Sequence, residues 1–393
     1  MTHTFKQMLR LLGAAINGVP FSPERGADIP KLRSLAISQS VWPLVYSELE
    51  KQLGNGAVKA YETEFLETAA DGLQRSYFQL ETISELNALG IKCCLLKGAH
   101  AASCYPHPEL RISSDADILI DPKNEEQAIE FLRKKGYDVK ERAQNDHHAK
   151  AYHPVGGLLE VHVRLYSIPT EQLVLDGLDL YREEWRLENT DGYDMWVLGV
   201  NDGLMYLTAH YIKHLVNEGG GIRQMLDLLL YIKKYKNQID FDAYKEMLVR
   251  LKYDKLIDVV KTAGAVYWGF DYPVKYPELA DKLLSDSEEG GIFGFDREVK
   301  NGFYSLYCQK RRGSVKAQAL MYLKGETRLI RRIFPSKLHM LQCGYAYAKH
   351  TFLLPLAYLH RIADKLLKRD ITSKARAADD GGRMKLMNEL GMI

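Results

Sequence analysis

Cysteine is scarce in this 393-residue chain, and what there is forms no cross-linking pattern. The five thiols, Cys93, Cys94, Cys104, Cys308 and Cys343, include one adjacent pair and no Cys-x-x-Cys spacing. That argues against a disulfide framework or a cysteine zinc site and fits buried thiols in a reducing compartment. Long apolar runs are also missing. With no stretch of about 18 apolar residues, no transmembrane segment is expected. Charge of one sign is not in excess: 53 Lys and Arg against 51 Asp and Glu leave a net charge of +2, so the molecule as a whole does not attract nucleic acid. Near the N-terminus, Lys6 and Arg10 precede an apolar patch too brief and interrupted for a signal peptide, which fits an amphipathic first helix. A cytoplasmic location is the expectation. Neither internal repeats nor low-complexity tracts occur, and the length allows two or three compact units.

Periodicity divides the chain. Residues 4–89 carry apolar side chains at three- and four-residue intervals, as helices do, and Gly90 ends the last of them. "IKCCLLKG" (91–98) is a short, nearly continuous apolar run, expected of a strand covered on both faces. "AHAASCYP" has room for a couple of helical turns, and "SDADILI" is the next strand. "NEEQAIEFLRKKG" (124–136) has acids in its first turn, bases in its last, an N-cap candidate in Asn124 and a closing glycine, which predicts a helix. "YDVKERA", "HHAKAYHP" and "GLLEVHVRLY" alternate as antiparallel strands, with the last turn at Gly156-Gly157. From Asp191 the pattern is again helical. The fold class expected is α+β: a small mixed-sheet core over 86–190, an N-terminal helical region over 1–85 and a larger C-terminal helical domain over 191–393.

The strand "SDADILI" poses a chemical question. Period two puts Asp115 and Asp117 on one face, where at about 5 Å and an effective dielectric of about 20 they repel by roughly 3 kcal/mol. On "GLLEVHVRLY" the same rule puts Glu160, His162 and Arg164 on the face opposite Leu159 and Val161. If the two strands are near neighbours, Glu160 approaches the Asp pair. Asp115, Asp117 and Glu160 then offer hard oxygen ligands to Mg²⁺ or Mn²⁺, whose charge would offset the repulsion. Upstream, Gly98 lets backbone approach a phosphate, and Lys97 adds a point charge. Arg111 is placed either to reach a substrate phosphate or to pair with an acid such as Glu109. His162 either orients a carboxylate, touches substrate or is a structural histidine.

The stretch "LLKGAH…RISSDADILI…LLEVHVRLY" resembles the polymerase-beta-like nucleotidyltransferases, and in particular a bacterial family of uncharacterised nucleotidyltransferases with Lys-Gly before the Asp-x-Asp strand and Glu-x-His after it. The resemblance covers residues 85–170, with a fainter echo in "AHYIKH…IRQMLDLLLYI". It implies a catalytic and metal-holding set of Asp115, Asp117 and Glu160, with Lys97, Gly98, Arg111 and His162 on substrate. The implied reaction is transfer of a nucleoside monophosphate from an NTP such as ATP to an acceptor, with release of pyrophosphate. Ala99 departs from the Gly or Ser often found there, removing a hydroxyl contact to phosphate and leaving backbone N–H groups and Lys97.

The acceptor, whether small molecule, protein or nucleic acid, leaves no legible motif, nor does the oligomeric state. Two other readings remain open. One is a glycosyltransferase using Asp-x-Asp to hold a metal and a nucleotide-sugar, which would need a larger parallel α/β domain upstream. The other is a non-catalytic nucleotide- or partner-binding module on the same scaffold. His210 and His214 have zinc-compatible spacing, but Tyr211 stands where a zinc protease needs Glu, so packing or cleft lining is expected. Arg223 and Asp227, four apart, are expected to pair with each other. Lys310, Arg311, Arg312, Lys316, Lys324, Arg328, Arg331, Arg332 and Lys337, with Tyr304, Tyr307 and Tyr322, form either a solvated face or a surface for nucleic acid or anionic membrane.

Overall fold

A computed structural model describes residues 1–21, 23, 27–142, 146–166, 184–217, 219–292 and 382–393. The chain forms two units, Met1–Phe295 with Glu389–Met392, and Asp296–Asn388 with Ile393. The divisions expected near residues 85 and 190 fall inside the first unit and stand as proposed boundaries within it. The basic cluster between Lys310 and Lys337 lies outside the described residues, as does the helical pattern over 337–369.

The N-terminal periodicity becomes helices α1 (His3–Asn17), α2 (Ile29–Ser38), α3 (Trp42–Leu53), α4 (Asn55–Val58) and the long α5 (Glu62–Ala88). Thr2 caps α1 by accepting the Phe5 N–H, and Gly18 closes it in the left-handed conformation. Strand β1 is only Cys94–Leu95, much shorter than its apolar run. Its flanks are held otherwise: the Cys93 N–H goes to the Asn87 side chain, and the Leu96 N–H goes to the Asp117 carbonyl. Next come α6 (Ala99–Ala102), β2 (Asp115–Leu119), α7 (Glu125–Lys134), β3 (Asp138–Lys140), β4 (His148–His153) and β5 (Gly157–His162). Asn124 precedes α7 without making a side-chain cap, whereas Asp121 caps the turn before it by accepting the Lys123 N–H.

A hairpin that periodicity did not bring out follows: β6 (Arg186–Thr190) and β7 (Tyr193–Val197). Its signal is the Asp191-Gly192 turn, where both residues have positive φ (49° and 87°), as a two-residue hairpin connection requires. Helices α8 (Val200–Asn217), α9 (Ile222–Tyr235), α10 (Phe241–Arg250), α11 (Asp254–Trp268) and α12 (Pro277–Gly290) complete the unit. Gly382–Glu389 is helical as well.

The sheet order is β3-β4-β5-β2-β1-β7-β6, and its pairing is mixed. β2 runs parallel to β5 and β1 parallel to β7, while β1–β2, β3–β4, β4–β5 and β6–β7 are antiparallel. The α+β expectation of a small mixed-sheet core among helices is met. Pleating sends Ala116, Ile118, Leu159 and Val161 into a core with Leu80, Ile83 and Leu86 of α5 and Ala128 and Leu132 of α7. A fully buried Leu, Ile or Val side chain contributes about 1.5–3 kcal/mol, so this layer fixes which way β2 and β5 face. Asp115, Asp117, Glu160 and His162 are thereby left on the other face. Among the described residues, no helix is long and apolar enough to cross a membrane.

Candidate active site

β2 and β5 are direct neighbours, and their register pairs Asp117 with Glu160 and Asp115 with Leu158. Parallel pairing in this register puts the second aspartate of the pair beside the glutamate. Gly98 carries the chain from the end of β1 into α6 with φ 78° and ψ −122°, a conformation costly for any residue with a Cβ. That turn aims Lys97 back across the sheet. Its Nζ lies 2.8 Å from Asp115 Oδ2 and 3.0 Å from Asp117 Oδ2.

Lys97 therefore offsets the repulsion between the two acids within the chain itself. Burial lowers the pKa of an ammonium, yet the two carboxylates outweigh it and hold Lys97 above its ordinary value. Burial pushes Asp115 up, but Lys97 prevails and brings it to about 2. The Asp117 side chain is only 3% exposed, and its Oδ1 lies 3.0 Å from His162 Nε2. His162 Nδ1 sits 3.3 Å from the Arg164 carbonyl, an acceptor, so that nitrogen bears hydrogen. Burial lowers His162, but hydrogen bonds and charge from Asp117 and Glu160 overcome this and leave it raised. Glu160 lies within 3.6 Å of both His148 and His162 and 3.2 Å from Lys150. Burial raises it, but these cationic and hydrogen-bonding neighbours win and lower it strongly.

Arg111 does not pair with Glu109, and with Gly98 it lines the cleft on the α5 side of the turn. Buried, its guanidinium grips Asp227 of α9 with Nε at 2.9 Å and Nη2 at 2.6 Å, while Nη1 reaches the Gly98 carbonyl at 3.3 Å. The Tyr105 hydroxyl donates to the same carboxylate at 2.8 Å. Asp227 is thus committed to Arg111, and Arg223 instead donates to the Ile112 carbonyl at 2.8 Å. The i,i+4 pairing gives way to one between elements because both charges face inward from α9, where Arg111 presents a fork geometry matched to carboxylate. Its consequence for the site is that α9 holds the Gly98 turn. His210 and His214 contact each other at 3.2 Å. α8 also carries Tyr206 and His210 within electrostatic reach of Asp117 and Lys97 respectively.

Among the described residues, the ligand atoms of Asp117, Glu160 and His162 lie within 4.8 Å of one another, as do those of His147, His148 and His162. Asp115 belongs to neither group. Asp117 Oδ2 is buried without a hydrogen bond of good geometry, and the Glu160 carboxylate and the His162 imidazole stand within reach of Asp117. This oxygen-rich donor set fits a divalent cation of the Mg²⁺ or Mn²⁺ type. A cleft of about 320 Å³ opens on the α5 side of the Gly98 turn, lined by Gly72, Ser76, Tyr77, Ala99 and Ile112. None of the three acids lines it.

His100 lies on the far side of the same turn, 5% exposed, with Nδ1 lacking a hydrogen-bond partner. Burial brings it down to about 4 despite the nearby Glu188. Between about pH 4 and 6.5 the unfolded chain binds a proton at His100 that the folded chain does not, so stability rises with pH in that window. Acidification from pH 7 to 4 should remove about 3 kcal/mol through this group. His210, lowered chiefly by burial, acts in the same direction, and the raised His162 opposes it. Urea midpoints measured across that range for the wild type and His100→Gln would show the slope flattening in the variant. Equal slopes would refute the assignment.

A mixed sheet with acids on adjacent parallel strands and a lysine-glycine turn over their ends is the core of a nucleotidyltransferase-type protein. The family described as "Uncharacterised nucleotidyltransferase" matches residues 25–260, and the chain belongs to it. No match is found among curated proteins. Among solved structures, the chain is similar to an antigenic nucleotidyltransferase-like protein from Paracoccidioides brasiliensis, at 15% identity and a TM-score of 0.29, over 48% of this chain and 92% of that one.

Proposed function

We propose that the protein transfers a nucleoside monophosphate from an NTP to an acceptor hydroxyl or phosphate, releasing pyrophosphate. The observation that carries this is Lys97 set between Asp115 and Asp117, with Glu160 paired opposite Asp117 on the neighbouring strand, in a chain of this family. Asp117 and Glu160, with Asp115 beside them, would hold Mg²⁺ or Mn²⁺. A divalent cation bound there supplies positive charge to the triphosphate and acidifies the attacking oxygen.

The chain's own groups do the rest. Lys97, already positive and set between the acids, is placed to move onto a phosphate oxygen. Gly98 keeps the turn open to phosphate, and Arg111 fixes that turn from behind as a positioning residue. α6 has four residues, too few for much of a helix dipole, so backbone N–H groups and Lys97 carry the phosphate contact. A carboxylate held as low as Glu160 is a weak base, so its contribution is negative charge rather than proton abstraction. The glycosyltransferase alternative needs a parallel α/β domain ahead of the acids, whereas the described residues before β1 are helical wherever they form regular structure. The non-catalytic module predicts nucleotide binding without turnover.

A thermal-shift series with each NTP, with Mg²⁺ or with EDTA, tests the reading alongside pyrophosphate release. A nucleotide at a hundred times its dissociation constant should stabilise by about 2.7 kcal/mol. The shift should need the divalent cation and should vanish in a folded Asp117→Asn variant. An NTP shift with no pyrophosphate across a broad acceptor panel would favour the binding module. Stabilisation by nucleotide-sugars alone would favour the glycosyltransferase.

A further inference from the structure

The segment "DHHAK" (146–150) leads into β4 with two histidines in a row. Alternation along a strand would send them to opposite faces. It does not, because β4 begins only at His148, so His147 precedes the pleat while its carbonyl still accepts the Val163 N–H at 2.9 Å. The β4–β5 register sets His148 directly across from His162. Three imidazoles consequently share one spot. Ring centroids are 4.3 Å apart for His147 and His148, 5.2 Å for His147 and His162, and 4.9 Å for His148 and His162.

One hydrogen bond joins His147 and His148, between His148 Nδ1 and His147 Nε2 at 3.1 Å, and it uses one lone pair and one N–H. His162 carries the backing contact that metal-bound histidines commonly have, Nδ1–H to a backbone carbonyl. One ligand atom from each of the three rings lies within 4.8 Å of the other two. A tetrahedral ion with Zn–N bonds near 2.0–2.1 Å sets its nitrogens about 3.4 Å apart, so the widest pair need close by no more than about 1.5 Å.

We propose that His147, His148 and His162 form a binding site for a first-row transition-metal ion of the Zn²⁺ type, distinct in its donors from the carboxylate pocket beside it. The donor chemistry decides the class. Imidazole nitrogens suit Zn²⁺, Ni²⁺, Cu²⁺ and Fe²⁺, whereas Mg²⁺ takes oxygen and keeps its water. Glu160, 3.6 Å from His148 Nε2, stands beside the trio as the neighbouring carboxylate. His162 belongs to both donor groups, so an ion on the histidines abuts the acids that nucleotidyl transfer is proposed to use. Nothing in the assignment requires that transfer to occur, because it is read out as metal retained.

The test uses the full chain, stripped with EDTA, loaded with Zn²⁺ in the presence of excess Mg²⁺ and desalted. Retained zinc is counted by elemental analysis, and Co²⁺ loaded in parallel reports nitrogen ligation through its visible d–d absorption. The wild type should keep about one zinc per chain against Mg²⁺, in line with the preference of imidazole for zinc. His147→Ala/His148→Ala should lose the cobalt band, and its zinc affinity should fall by on the order of a hundredfold. His147→Gln, which keeps a polar side chain at the strand entrance, should weaken zinc in the same direction if the double variant folds poorly. Asp115→Asn should retain zinc. The assignment is overturned by no zinc in the wild type, by unchanged zinc in both histidine variants, or by equal loss in Asp115→Asn, which would put the ion among the carboxylates.

Discussion

Asp227→Asn should destabilise the protein by about 3–5 kcal/mol, the range for leaving a buried charge without its partner. Arg111 cannot escape by losing its proton, because the guanidinium is held above its already high ordinary value. Its side chain is 2% exposed, so water cannot take the place of the lost carboxylate. Asparagine keeps the shape but sets an amide N–H₂ against a fork of N–H donors, and the Tyr105 hydroxyl loses a charged acceptor. The double variant Arg111→Met/Asp227→Leu should recover most of the loss, since no unpaired charge remains. Nucleotide affinity should not recover with it, because the double variant also lacks the Arg111 hydrogen bond to the Gly98 carbonyl. Urea unfolding supplies the first two comparisons and nucleotide-induced thermal shift the third. A loss under 1 kcal/mol in Asp227→Asn would mean that water reaches Arg111.

The difference between what the sequence shows and what it hides follows from how far each contact reaches along the chain. Period two on "SDADILI" and "LLEVHV" was enough to put Asp115 and Asp117 on one face and Glu160 and His162 on another, because pleating is local. Parallel pairing of the two strands, with Asp117 opposite Glu160, needs the β2–β5 neighbourhood, which no local pattern encodes. Arg223 and Asp227 show the reverse error. Spacing of four made them look like partners, but a buried carboxylate takes the best-fitting donor in three dimensions, here Arg111 from 116 residues away. His147 escaped notice because alternation assigns it to the wrong face until the start of β4 is known. The hairpin at Asp191-Gly192 escapes the periodicity as well: the pattern from Asp191 reads as helical, although the Asp-Gly dipeptide is itself a strong hairpin signal. Lys97 was singled out as a phosphate ligand, yet its proximity to both acids depends on the sharp Gly98 turn and could not be read from composition.

Lys97→Met tests what holds the two aspartates together. In the wild type the ammonium lies within 3.0 Å of both carboxylates. Its removal leaves two buried anions about 5 Å apart at an effective dielectric of about 20, a penalty of roughly 3 kcal/mol at neutral pH. Asp115 should respond by holding its proton, so its pKa moves from about 2 to above the ordinary carboxylate range. The sign of the pH dependence then reverses. In the wild type, Asp115 at about 2 contributes stability that is present above pH 4 and is lost as pH falls toward 2. In the variant, the raised acid contributes stability that is present at low pH and is lost as pH rises through its new value. Millimolar Mg²⁺ should stabilise the variant more than the wild type, because a divalent cation at the acids replaces the missing ammonium there but must compete with it in the native protein. Urea midpoints at pH 5 and 8, with Mg²⁺ and with EDTA, separate the possibilities. A variant destabilised at pH 8 and unmoved by Mg²⁺ would mean that these carboxylates are built to hold a lysine and would remove the main support for a metal at Asp115 and Asp117.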